Sequence, residues 1–229
     1  MAPASPATPT LQPSPPADKP ARPGEGVGLP TAPNGAGAHA ADAHVHVLRL
    51  APVDHPKGLK LRLIYWLGRK RFGVVPTPLK VVAPRFPPIA RLSMALQSFD
   101  RSLRLPKELR LLVSALVSGT NGCGFCLDLK HMMAVDEGLT LARFHALPGW
   151  RSSTLFTARE RAALQYAEEV TLHRQPQNAT FEALRKHFRE EEIVELTFVI
   201  ALENFYNLSN VPLGIGSDGL CALAQARRR

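Results

Sequence analysis

The segment from Glu190 to Asn210 constrains the fold most. It carries Ile193, Val194, Leu196, Phe198, Val199, Ile200 and Leu202 in one helical register, with Pro212 and Gly214 as stop signals. Apolar residues lie on most sides, so this helix is expected to be central. One polar stripe interrupts it. Glu203, Asn207 and Asn210 follow i, i+4, i+7 spacing, bordered by Asn204. Buried polar groups are costly unless hydrogen-bonded, so the stripe must meet a helix–helix network, a water chain or a subunit interface. Against a helix that carries the closely spaced cysteines, Glu203 becomes an acid/base candidate.

No alternating strand pattern of useful length occurs, and helical signals recur along the chain. Gly58 to Phe72 reads as an amphipathic helix. Its Leu59, Leu63, Trp66 and Leu67 are expected to pack on the domain rather than lie on a membrane surface. Pro88 opens a helix to about Leu103, and Pro106 opens one carrying Leu109, Leu112, Val113 and Leu116. The cysteine helix should run from Cys123 to about Glu137, with Gly138 as its C-terminal signal. A short helix follows around Leu141 to Ala146. Thr157 and Glu160 make a capping box for the next, and another covers Thr180 to His187. The expected fold class is all-α, with seven or eight helices.

Ten of the first 34 residues are proline, within a Pro/Ala/Gly tract from Met1 to about Ala41. Such a tract cannot bury enough apolar surface to offset the entropy of ordering. The expected organisation is a disordered tail over 1–47, one helical domain over 48–221 and a basic C-terminal tail over 222–229. The net charge of +9 is uneven: His46 to Arg110 holds 14 Lys/Arg against 3 Asp/Glu. With no nucleic-acid motif beside it, this reads as a solvated basic surface. No signal peptide and no apolar run of about 20 residues is present, so a cytoplasmic protein without a transmembrane segment is expected.

The chemistry sits in Asn121-Gly-Cys-Gly-Phe-Cys-Leu-Asp-Leu-Lys-His. Cysteines three apart at a helix start can cycle between dithiol and disulfide, and the helix N-terminus favours a thiolate. The chain has only three cysteines, Cys123, Cys126 and Cys221, so a disulfide framework is excluded. Lys130 lies one turn beyond Cys126 on the same face, where a cation would depress a thiolate's pKa. His131 is rotated about 100° further round. Zinc would need two more ligands, and neither a second Cys-x-x-Cys nor a paired-His motif exists. His39, His44 and His46 read as surface residues near the tail. No metal and no cofactor are expected.

Asn-Gly-Cys-Gly-Phe-Cys after an apolar helix resembles the carboxymuconolactone decarboxylase superfamily, in its alkylhydroperoxidase D-like branch. The resemblance extends over 48–221. It includes Arg71-Phe-Gly-Val-Val-Pro, Ser153-Thr-Leu-Phe-Thr-Ala-Arg-Glu, Ala201-Leu-Glu-Asn-Phe-Tyr-Asn and Val211-Pro-Leu-Gly-Ile-Gly. It implies an all-helical domain assembled as a trimer or hexamer. It also implies a peroxidase-like thiol oxidoreductase acting on a small hydroperoxide with a thiol reductant or redox partner protein. Cys126 would be the more exposed, peroxide-reacting thiol and Cys123 its resolving partner. Two positions depart from the pattern: Leu111 stands where a glutamate is expected, and Lys130 where a histidine is expected. His131 or Glu203 would have to substitute in the proton relay. A non-enzymatic helical oligomer is the alternative those departures favour. A lyase acting on a small acid is a further one, which the cysteine pair argues against. The candidate site is Cys126, Cys123, Lys130, His131 and Glu203.

Overall fold

The computed structural model describes residues 47–228. The expected tail over 1–46, with His39, His44 and His46, lies outside the described residues. Among the described residues there are ten α-helices and no strand.

The centre is α4 (Lys107–Thr120). Every residue from Leu109 to Ser118 in it is buried. Leu112, Val113 and Val117 are fully enclosed, and burial of such side chains contributes about 1.5–3 kcal/mol each. Against α4 pack α5 (Gly124–Asp136), α7 (Ala158–His173) and α9 (Glu190–Asn210). The expectation that α9 is central is therefore corrected. It buries one face through Ile193, Leu196, Val199 and Ile200, while Val194, Phe205 and Leu208 are exposed. The apolar run of α4 is the one enclosed on all sides.

Helix boundaries follow local signals. Thr157 Oγ1 accepts from the Glu160 N–H, and Glu160 returns a bond to the Thr157 N–H, which completes the capping box of α7. Pro106 is the N-cap of α4. The shorter helices α6 (Leu141–His145) and α8 (Asn178–Arg185) bridge these elements.

Three features go beyond or differ from the sequence expectation. First, α1 (Leu59–Phe72) turns its Tyr65 and Gly68 face inward. Leu59, Leu63 and Trp66 are 80%, 55% and 57% exposed, with Leu67 exposed beside them. Gly68 sits at the close contact of this face. A Cβ there would lie 3.1 Å from the Leu79 side chain of α2 (Thr77–Val81), so a larger residue would have to push that side chain aside. The Tyr65 hydroxyl also donates to the Val53 carbonyl at 2.8 Å. Second, α3 (Pro88–Ser102) leaves its apolar Leu92, Met94 and Phe99 exposed. Third, the expected tail over 222–229 is helical through Arg228. Helix α10 (Leu220–Arg228) packs on α5, with Leu220 and Ala224 buried. Its basic end is met by Asp136 of α5, 3.7 Å from Arg227, and at its other end Asp128 of α5 accepts from the Leu220 and Cys221 N–H groups at 2.8 and 2.9 Å. That carboxylate caps the free N-terminus of α10.

Candidate active site

The end of α4 places the cysteines. Gly122 takes φ 66°, a conformation that glycine adopts without strain, and reverses the chain. The Cys123 N–H then donates to the Ser118 carbonyl at 2.9 Å. Cys123 becomes the N-cap of α5, and Cys126 follows inside the first turn. Both are free thiols, 1% and 3% exposed.

The stripe on α9 faces this turn. Asn210, the last residue of α9, donates its Nδ2 to Cys126 Sγ at 3.3 Å. Two turns earlier Glu203 accepts from Ser118 Oγ at 2.7 Å and from Asn207 Nδ2 at 3.1 Å. Its other oxygen lies 2.7 Å from Lys130 Nζ on α5. Asn121 Nδ2 donates to the side-chain oxygens of Asn204 and Asn207, both at 2.9 Å. The stripe is therefore satisfied by the turn that carries the cysteines, by α4 and by α5.

The two thiols ionise as a unit. The hydrogen bond between them is the largest influence on each, lowering the Cys123 pKa and raising that of Cys126. Burial and the negative charge of Glu203 raise both, whereas Asn210 lowers both. The first proton lost therefore belongs to the pair and not to either sulfur alone. Burial is the largest influence on Lys130 and by itself lowers its pKa. The Coulomb attraction and hydrogen bond of Glu203 outweigh it, and the ammonium is raised above its ordinary value. Lys130 is thus a fixed cation at neutral pH and cannot be a general base.

Of the residues singled out in the sequence, the fold gathers Cys123, Cys126, Lys130 and Glu203. His131 is directed elsewhere. Its ring makes edge contacts with Phe144 and His145 of α6, at centroid distances of 5.9 and 5.7 Å. Burial, followed by His145, lowers its pKa, and its buried Nε2 has no protein hydrogen-bond partner. Leu111 is buried in α4, and Glu203 of α9 is a carboxylate that reaches the cysteine helix, through Lys130. Ser118 was missed, although a hydroxyl inside the apolar run before Cys123 is a readable signal. Tyr206 was missed too; burial raises its phenol pKa, and Lys130, Glu203 and Cys126 all act on it. Among the described residues no group of three His, Cys, Asp or Glu side chains is placed to hold a metal ion.

A model of the carboxymuconolactone decarboxylase family matches residues 87–169, which include the turn and both cysteines. The uncharacterized protein YnjA of Escherichia coli K12 is 31% identical over 172 residues, covering 74% of this chain and 94% of YnjA. The chain belongs to the carboxymuconolactone decarboxylase superfamily, in its alkylhydroperoxidase D-like branch. Solved structures agree. A protein of unknown function from Agrobacterium tumefaciens, proposed as the antioxidant defence protein AhpD, is 32% identical with a TM-score of 0.52. The match covers 55% of this chain and 87% of that one. An AhpD-core, peroxidase-related protein from Ralstonia eutropha JMP134 has a TM-score of 0.65 at 21% identity, covering 79% and 98%, and shares the fold. Among the described residues no helix of this superfamily member is long and apolar enough to cross a membrane.

Proposed function

We propose that this protein is a cofactorless thiol oxidoreductase of the peroxidase type, reducing a small hydroperoxide through Cys126 and Cys123. The observation that carries the reading is the pair itself: two free, buried thiols at the start of α5 that govern each other's ionisation, with the Asn210 amide on Cys126. Because the two sulfurs titrate as a pair, the thiolate reaches Cys126 when the remaining proton sits on Cys123.

The Cys126 thiolate attacks one peroxide oxygen and the O–O bond breaks. Together with the thiol proton, Cys126–SH and ROOH give Cys126–SOH and ROH. Cys123–SH then displaces water from the sulfenic acid, which forms the Cys123–Cys126 disulfide. Two equivalents of an external thiol restore the dithiol and leave as their own disulfide. Lys130 holds Glu203, and a thiolate on Cys126 stabilises Lys130 in turn. The near-complete burial of both sulfurs favours a small oxidant. A dithiol that must be re-reduced suits the cytoplasm.

Self-association belongs to the same reading. The exposed apolar faces of α1 and α3 suit a trimer or hexamer, since isolated monomers rarely leave such surface open.

The test is hydroperoxide consumption with dithiothreitol as reductant. Cys126→Ser should abolish it, and Cys123→Ser should accumulate a sulfenic acid at Cys126 that dimedone traps. Undiminished turnover in Cys126→Ser rejects the assignment.

A further inference from the structure

We infer that Asn210 is a catalytic residue, whose side-chain amide holds the Cys126 sulfur and stabilises its thiolate. Its Nδ2 lies 3.3 Å from Cys126 Sγ, and the same amide lowers the Cys123 pKa as well. Asn210 is buried, and its carbonyl accepts from the Ile215 N–H at 3.2 Å, where the chain leaves α9 through Val211–Leu213. Both ends of the residue are therefore fixed, and the amide is aimed at the sulfur before any reaction. A donor held this way needs no reorganisation when charge develops on the acceptor.

The surrounding groups make this donor matter. The titratable groups acting on Cys126 are Cys123 at the turn and Glu203 on α9. Lys130 on α5 and Tyr206 on α9 feel its charge in turn. Cys221 of α10 belongs to the same apolar cluster and is neutral as a thiol. Lys130 is engaged by Glu203, and Glu203 and Cys123 both oppose a charge on Cys126. Asn210 supplies the amide that meets this sulfur directly. The inference takes its catalytic meaning from the proposed function, but the measurement uses no peroxide.

The test is the pH dependence of Cys126 alkylation by iodoacetamide in a Cys123→Ala background, read by mass spectrometry. Asn210→Leu keeps the shape and removes the donor. The profile should move to higher pH, with the rate at pH 7 lowered about tenfold or more, as expected for a lost hydrogen bond to a charged group. Asn210→Asp places a second anion at the sulfur and should move it further. A profile that stays in place, or moves to lower pH because Oδ1 rather than Nδ2 faces the sulfur, overturns the assignment. In the unmodified protein, the Asn210 side-chain amide resonance should titrate with the thiol pair; a flat resonance through that titration also overturns it. Shifted profiles without hydroperoxide turnover would leave Asn210 in its role and remove the peroxidase reading alone.

Discussion

Lys130 Nζ and Glu203 Oε2 lie 2.7 Å apart, joining the cysteine helix to α9 with side chains 14% and 3% exposed. A buried pair contributes little over an apolar replacement, but removing one member strands the other. Lys130→Met should therefore destabilise the protein by about 3–5 kcal/mol in urea unfolding. The double variant Lys130→Met with Glu203→Leu should lose clearly less than the sum of the single variants. Additive losses would show that the pair is not coupled.

Stability should fall at both pH extremes. Lys130 has a raised pKa in the fold, so its contribution is complete below the unfolded lysine value of about 10.4. It is lost as pH climbs through the folded value. Burial alone would raise Glu160, but Arg143 and the Thr157 donors outweigh it and the carboxyl is lowered. Its contribution is present above about 4.3 and disappears as pH falls through the depressed value. His131, lowered by burial, begins to weaken the fold below about 6.5. Urea midpoints should drop as pH falls below about 6.5, and the Lys130 share of the alkaline loss should begin only above about 10.4. Glu160→Gln should flatten part of the acid limb.

Thr157→Ala removes the hydroxyl that accepts from the Glu160 N–H at the start of α7. The loss should be about 1 kcal/mol, measured by thermal or urea unfolding. Thr157→Ser should recover most of it, because the cap needs the oxygen and not the methyl group.

The outward face of α1 should act on assembly and not on folding. Leu63→Ser with Trp66→Ser should change unfolding free energy by about 0.5 kcal/mol or less. The same pair should lower the mass seen by light scattering. Gly68→Leu reverses the pattern: it forces α1 away from Leu79 and should cost about 1–3 kcal/mol.

Much of the site was legible in the chain before folding. The i, i+4, i+7 spacing of Glu203, Asn207 and Asn210 on an apolar helix demanded a polar partner, and α9 brings that stripe onto Ser118, Asn121, Lys130 and Cys126. Lys130 was placed by helical periodicity alone. His131, one residue on, could not be placed so simply, because α6 offers Phe144 and His145 to its ring. The face of α1 was misread for a related reason. Leu59, Leu63 and Trp66 form the stronger apolar stripe, yet the face that packs carries Tyr65 and Gly68, which meet Val53 and Leu79 outside the helix.

By itself the sequence determined the helical class, most helix boundaries, the cysteine turn and the polar stripe. These depend on residues within a few positions of one another, through periodicity, caps and turn glycines. Only the tertiary structure decided that Glu203 meets Lys130, that Asn210 meets Cys126, and that α4 rather than α9 is the enclosed helix. Those contacts join residues more than 70 positions apart, and close packing, which local preferences do not encode, selects among the faces that could meet.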